Sequence, residues 1–85
     1  MTWGVIVDST AEKFLRNIPK NDIERVKAAI DEFVVNPYAG DIEKMEGEIG
    51  TWRRRVGSYR IFYEVRTKDR IICVFKVKRR TSSTY

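Results

Sequence analysis

The chain has 85 residues, enough for one domain with a modest core, and a formal net charge of +5. With one cysteine and no histidine, it lacks the residues for a zinc site, an internal disulfide or catalysis by a histidine base. No apolar run approaches the roughly 20 residues of a membrane-spanning helix, and the N-terminus lacks the features of a signal peptide. We therefore expect a single cytoplasmic domain over residues 1–85, with no metal, no cofactor and no membrane partner.

Positive charge is concentrated in the last third of the chain. Residues 1–52 hold 6 lysines and arginines against 10 acidic residues, whereas residues 53–85 hold 11 against 2. A net charge of +9 over 33 residues is typical of proteins that bind nucleic acid or another polyanion. The alternative is an ordinary solvated surface that is rich in basic side chains.

The first half of the chain predicts one strand and two helices. Loose alternation of apolar residues over residues 3–8 indicates the strand. A capping box with Ser9 as N-cap predicts the first helix, which Pro19 would end. A second N-cap signature at Asn21-Asp22 predicts another helix, which would end at Asn36-Pro37. So short a link would make the two helices a hairpin.

The middle of the chain predicts a loop followed by a β-hairpin. Residues 38–50 are rich in glycine and acidic residues and should form a loop, with at most one helical turn near residues 42–45. Residues 52–65 are rich in aromatic and β-branched side chains and contain Gly57-Ser58 at their centre. This pattern predicts two strands that turn at the glycine and serine.

A last strand is predicted over residues 70–78, after a turn at residues 67–69. Its apolar run from Ile71 to Phe75 is unbroken, so we expect it in mid-sheet, covered on both faces, with Cys73 as a buried and inert thiol. The predicted order is β-α-α-β-β-β. This order indicates an α+β fold in which the helical hairpin packs on one face of an antiparallel sheet.

The predicted hairpin brings arginines together on one face. If Gly57-Ser58 is a two-residue loop, Arg55 lies opposite Arg60 and Arg53 lies opposite Phe62, and all four share a face. Two directly opposed arginines reduce stability, and an anion such as a phosphate would offset that cost. The alternative is a set of solvated arginines kept for solubility. Arg54 falls on the apolar face, so it must lie at a strand edge or the predicted register is off by one.

The remaining polar residues, mainly arginines with a few lysines and a tyrosine, can still support the cleavage of RNA. RNA supplies its own nucleophile, the 2′-hydroxyl, so an enzyme needs to hold the strand in line and to stabilise the charge of the phosphorane. Arginines do the second well, but their pKa above about 12 makes them poor general bases. The sequence therefore indicates phosphate binding, and leaves open which group takes the proton.

Several motifs resemble those of the RelE/ParE toxin superfamily. The hairpin motif is Trp52-Arg53-x-Arg55-Val56-Gly57-x-Tyr59-Arg60-Ile61-x-Tyr63-Glu64-Val65. The further matches, in chain order, are Leu15-Arg16-Asn17-Ile18-Pro19, Asn36-Pro37, Met45-Glu46-Gly47 and Val77-Lys78-Arg79-Arg80 followed by a tyrosine. The resemblance implies a RelE-like fold and a toxin of a type II toxin–antitoxin pair, neutralised by a RelB-like antitoxin.

The resemblance also implies a set of site residues. The catalytic residues would be Arg53, Arg55, Arg60, Arg80 and Tyr85, and the further RNA contacts would be Arg54, Phe62, Lys76, Lys78 and Arg79, the last also an alternative to Arg80. Arg55 and Arg60 would stabilise the phosphorane, and Arg53 would assist activation of the 2′-hydroxyl. Arg80 would protonate or stabilise the leaving 5′-oxygen, and Tyr85 would stack on or orient the nucleotide.

Three functions follow from these expectations. The first is a metal-independent, ribosome-dependent endonuclease that cleaves messenger RNA in the A site and so inhibits translation, as RelE-type toxins do. The second is a ParE-like toxin that inhibits DNA gyrase without catalysis. The third is a non-toxic nucleic-acid-binding module or an inactive homologue. Operator DNA is expected as a partner only through the complex with the antitoxin.

Overall fold

A computed structural model describes residues 2–47 and 50–79 and contains one mixed sheet with two helices packed on it. In chain order the elements are β1 (Gly4–Val7), α1 (Ser9–Arg16), α2 (Lys20–Val35), β2 (Ile42–Lys44), β3 (Thr51–Val56), β4 (Tyr59–Arg66) and β5 (Ile71–Arg79). The strand order is β1-β5-β4-β3-β2, in which β1 and β5 are parallel and the other neighbours are antiparallel. The predicted α+β fold is confirmed, with a parallel first strand and the additional strand β2. Neither of these helices is long and apolar enough to cross a membrane.

Both helices begin one or two residues earlier than their capping signatures predict. Asp8 is the N-cap of α1, because its Oδ1 accepts a hydrogen bond from the Ala11 amide at 3.1 Å, so Ser9 is already helical. Helix α2 starts directly after Pro19, whose carbonyl accepts the amides of Asp22 and Ile23 at 3.0 Å. The proline has a φ of −57°, which suits a helix start, and its side chain offers no acceptor to cap the helix. The predicted end of α2 at Asn36 is confirmed.

Strand β2 replaces the loop and helical turn that the sequence predicts over residues 38–50. Its residues pair with β3, Ile42 opposite Arg54 and Glu43 opposite Arg53. The chain enters β2 through Gly40 with a φ of +85°, a conformation that glycine adopts without strain. A three-residue strand is too short to show a periodic signal, so only its pairing with β3 identifies it.

The hydrophobic core lies between the helices and one face of the sheet. Along β4 the side chains of Tyr59, Ile61, Tyr63 and Val65 are buried, and the alternate residues are more exposed. The ring of Phe33 on α2 packs on Tyr63 with 4.2 Å between ring centroids. We call the opposite side of the sheet, which these helices leave uncovered, the open face.

Strand β5 lies in mid-sheet, but it is covered on one face only. Ile72 and Val74 are buried towards the helices, whereas Ile71, Cys73 and Phe75 are half-buried on the open face. The prediction that both faces are covered and that Cys73 is buried is therefore wrong, whereas the inertness of its thiol stays a prediction. The unbroken apolar run arises because the open face also carries an apolar strip next to β1.

Removal of one buried hydroxyl should destabilise the fold. The Tyr63 hydroxyl donates a hydrogen bond of 2.6 Å to the carbonyl of Pro37, and both residues are fully buried. Tyr63→Phe leaves that carbonyl without a donor, which should lower the free energy of unfolding by about 1–3 kcal/mol. Urea denaturation measures the change. Tyr38→Phe is the matched control, because Tyr38 is 43% exposed, and it should stay within about 0.5 kcal/mol of the wild type.

The same residue predicts a pH dependence. Burial raises the pKa of the Tyr63 phenol from 10.0 to about 12. Because the folded-state pKa lies above the unfolded one, the protonated phenol contributes its full stability below pH 10 and loses it as the pH rises towards 12. The stability difference between wild type and Tyr63→Phe should therefore shrink between pH 10 and pH 12. A constant difference in urea melts across that range would contradict this.

Candidate nucleic-acid interface

The register of the β3–β4 hairpin is the one that the sequence predicts. Arg55 lies opposite Arg60 and Arg53 lies opposite Phe62, and the strands join at Gly57-Ser58. Gly57 has a φ of +57°, as expected for glycine at the first central position of a tight hairpin turn. The side chains of Arg53, Arg55, Arg60 and Phe62 consequently share the open face.

Strand β5 adds two lysines to these arginines. Lys78 lies opposite Arg60, and Lys76 lies opposite Phe62 with its Nζ 5.8 Å from the centroid of the Phe62 ring. We call this set of five cations the basic cluster: Arg53, Arg55, Arg60, Lys76 and Lys78. Phe62 lies among them. The structure thus brings together six of the predicted site residues from three strands.

Two carboxylates of the β2 edge pair with the basic cluster. Arg55 Nε lies 3.2 Å from Asp41 Oδ2, and the amide of Arg55 donates to the carbonyl of Asp41 at 2.9 Å. Arg53 pairs with Glu43, its neighbour across β2 and β3. Sequence reasoning missed both carboxylates because it placed them in a loop. No local pattern separates them from the other acidic residues of this segment, because β2 is identified only by its pairing with β3.

Arg60 differs from these two arginines. Within residues 2–47 and 50–79 it forms no ion pair, whereas Arg53 and Arg55 each have one. Its Nε, like that of Arg53, is buried without a hydrogen-bond partner among these residues. A buried guanidinium donor that lacks a partner is costly, and a bound anion would supply one. Arg60 is therefore the residue of the basic cluster best prepared to bind a phosphate.

Arg54 lies on the helix-covered face, away from the basic cluster. Its side chain is only 13% exposed, and Nη1 donates to Glu32 Oε1 at 2.9 Å and to the Ala39 carbonyl at 3.3 Å. The guanidinium also lies over Gly40, where a Cβ would approach its Cζ to 2.5 Å. Arg54 thus links β3 to the end of α2, and it is not placed to contact RNA on the open face. The predicted register was correct despite this arginine.

Arg79 also lies apart from the basic cluster. It pairs across the strands with Tyr59, and its Cζ is 5.9 Å from the centroid of the Tyr59 ring. The Tyr59 hydroxyl donates to Asp22 Oδ2 at 2.8 Å, and this hydrogen bond raises the pKa of the phenol. Arg79 therefore belongs to the side of the sheet that carries the helices. Arg80 and Tyr85 lie outside the described residues, so their roles stay predictions.

Comparisons with known proteins agree with this fold and site. A family model for the ParE toxin of the type II toxin–antitoxin system parDE matches residues 5–83. The putative toxin RelE1 of Methanocaldococcus jannaschii is 30% identical over 83 residues, 94% of this chain and 92% of that protein.

Solved structures give the same result. A chain of the archaeal RelE–RelB complex from Pyrococcus horikoshii OT3 is similar with a TM-score of 0.84 and 31% identity, over 98% of this chain and 100% of that one. The isolated Escherichia coli RelE toxin has the same fold, with a TM-score of 0.83 and 20% identity over 95% and 87% of the two chains. The protein belongs to the RelE/ParE superfamily of toxins from type II toxin–antitoxin systems.

Neutralisation of the two β2 carboxylates should strengthen binding of a polyanion. In the variant Asp41→Asn/Glu43→Gln, Arg53 and Arg55 lose their internal counter-ions and become free for phosphates. We expect a several-fold higher affinity for a single-stranded RNA oligonucleotide, with a salt slope steeper by about 0.7 for each phosphate gained. Fluorescence anisotropy over a salt series measures both.

The matched control is Glu24→Gln/Asp31→Asn, which changes the net charge equally on the exposed side of α2. If the control raised the affinity and the salt slope as much as Asp41→Asn/Glu43→Gln does, the effect would be one of net charge. That result would contradict a local role for the β2 carboxylates.

Proposed function

We propose that this toxin is a metal-independent endoribonuclease that cleaves messenger RNA in the ribosomal A site and so inhibits translation in the cytoplasm. The observation that supports it best is the basic cluster on the open face, above all Arg60, which forms no ion pair with the residues that the structure describes and whose Nε finds no hydrogen-bond partner among them. A polyanion that enters this face supplies the partner that Arg60 lacks and competes with Asp41 and Glu43 for the other two arginines.

The proposed reaction is an in-line transesterification within the RNA strand. The 2′-oxygen attacks the adjacent phosphorus, its proton leaves to solvent or to the ribosome, and the bond to the 5′-oxygen breaks to leave a 2′,3′-cyclic phosphate. Arg55 and Arg60 face each other across the hairpin, where two cations can flank one phosphorane. Arg53, one step along the same face, would lower the pKa of the attacking hydroxyl by its charge. Arg80 and Tyr85 would act on the leaving oxygen and on the nucleotide, as the family resemblance implies.

A cognate, RelB-like antitoxin is the proposed protein partner. The relatives from Pyrococcus horikoshii and Escherichia coli have been solved in complexes with RelB. An antitoxin that presents acidic and apolar segments to the basic cluster would neutralise it. Contact with operator DNA is proposed only through the antitoxin complex.

The second candidate function is inhibition of DNA gyrase without catalysis. It is favoured by one specific observation, the match of residues 5–83 to the ParE toxin model. The basic cluster would then bind an acidic or nucleic-acid surface of the gyrase complex, and none of its residues would have a chemical role.

Primer extension on a message held in programmed ribosomes tests the first function. The wild-type protein should cut within the A-site codon, and Arg60→Ala should slow cleavage by about 100-fold or more, as loss of one group that stabilises the transition state does. Arg80→Ala tests the role implied by the resemblance and should also lose activity. Arg16→Ala is the matched control, since Arg16 is an exposed arginine of α1, and it should cut at the wild-type rate.

An intact message with active ribosomes would refute the endonuclease. In that case a gyrase supercoiling assay with the same proteins decides on the second candidate. If the wild-type protein inhibits supercoiling by gyrase and leaves the messages of the ribosome assay intact, it is a toxin of the ParE type.

A further inference from the structure

A β-bulge changes which side chains of β5 reach the open face. Phe62 pairs with Lys76 but the next residue, Tyr63, pairs with Val74, so Phe75 is the extra residue. As a result Phe75 and Lys76 both lie outside the core, between the buried side chains of Val74 and Val77. Bulges of this kind frequently re-aim a side chain beside a functional site. Here the bulge leaves two consecutive residues, Phe75 and Lys76, outside the core, so that an aromatic ring and a cation lie side by side on the open face.

Phe62 and Phe75 form an aromatic pair at the border of the basic cluster. Their ring centroids are 6.4 Å apart with planes inclined at 49°, and both side chains are half-buried. Neither ring belongs to the hydrophobic core or packs against it, in contrast to Phe33 and Phe14. Core stability therefore does not explain two phenylalanines on the open face.

The pair lies one step from the cations that would bind a phosphate. Residues two apart on a strand share a face, and their Cα atoms are roughly 6.6 Å apart. Phe62 and Arg60 are two such residues of β4. Phe62 also lies directly across from Arg53, and Lys76 approaches its ring. A nucleotide whose phosphate contacts Arg60 can consequently lay its base on the aromatic pair.

A concavity next to Phe75 provides room for the edge of such a base. Its volume is about 420 Å³, within the range of small-molecule sites. The residues that line it are Ile6, Asp8, Thr51, Glu64, Arg66, Cys73 and Phe75. They combine apolar contact with a hydroxyl, carboxylates and a guanidinium, which are groups that hydrogen-bond to the edges of bases.

We propose that Phe62 and Phe75 form a base-stacking subsite for single-stranded RNA, next to the phosphate-binding arginines. The proposal deepens the function proposed above and rests on it. Aromatic rings beside a basic groove are the combination that binds single strands without strict sequence preference. A purely apolar protein segment fits less well, because the pair is bordered by cations on three strands, which such a segment would leave without counter-charges.

The test measures RNA binding under conditions in which the RNA cannot be cleaved. The probe is a short 2′-O-methyl RNA, which cannot undergo 2′-hydroxyl attack, with one 2-aminopurine whose fluorescence is quenched on stacking. A second probe of the same length lacks the bases at the central positions. The variants are Phe62→Leu/Phe75→Leu, which keeps an apolar surface without aromatic rings, and Phe62→Ala/Phe75→Ala. Tyr38→Leu is the control, as Tyr38 is an exposed aromatic residue that follows α2.

The wild type should bind the base-containing probe more tightly than the abasic one and quench its fluorescence. Both double variants should lose about 5- to 100-fold in affinity for the base-containing probe, lose the quenching, and bind the abasic probe as the wild type does. Arg60→Ala should weaken both probes alike. Circular dichroism on heating checks that each variant is folded.

Other results would overturn the subsite. The first is that the wild type does not bind the base-containing probe. The second is that the folded leucine variant binds this probe with the same affinity as the wild type. The third is that the double variants lose binding to the antitoxin while their RNA binding is unchanged. The ribosome assay on the same proteins separates this from the proposed function. If the wild type binds RNA in a base-dependent way but does not cleave the message, the endonuclease is refuted and the subsite is supported. If the wild type cleaves the message and the leucine variant binds RNA as the wild type does, the subsite is refuted and the endonuclease is supported.

Discussion

The register between β3 and β4 is the constraint on which both the fold and the site depend. Side chains of a strand alternate between faces, so a slip of one residue would exchange the two sets. Arg53 and Arg55 would then enter the core, and Trp52 and Val56 would leave it. The tight turn at Gly57-Ser58 and the buried aromatic rings of β4 fix the register from both ends. The repulsion between the opposed Arg55 and Arg60 is tolerated because the core on the other face holds the strands in place.

The short edge strand β2 serves the two faces of β3 at once. On the open face its carboxylates balance Arg53 and Arg55, so the folded protein does not carry all of its positive charge uncompensated. On the other face the turn through Gly40 leaves space for Arg54, which reaches Glu32 at the end of α2. Three consecutive arginines of one strand therefore have two different roles. Arg53 and Arg55 can exchange their carboxylate partners for a ligand. Arg54 instead forms contacts that hold β3 to α2.

The sequence was most informative where a pattern is strong and local. The hairpin, its register and the shared face of Arg53, Arg55 and Arg60 follow from a two-residue turn and strict alternation. The predicted N-cap of α1, Ser9, was wrong by one residue. Asp8 and Ser9 are both good N-cap residues, and only the backbone geometry decides between them. Strand β2 could not be predicted, because its only signal is pairing with β3. That Phe75 and Lys76 both lie on the open face depends on a bulge, which composition does not reveal.

The parallel pairing of β1 with β5 brings the first and the last strand of the chain together, with β1 at one edge of the sheet. Gly4 lies beside Ile71, so the first strand has no partner in the sheet until the last one has been synthesised. Two cations of the basic cluster, Lys76 and Lys78, are also on that last strand. During its own translation the nascent chain therefore lacks both a complete sheet and a complete site. A protein with this topology becomes competent only after its last strand has been made and paired, and contacts this distant in sequence also make folding comparatively slow.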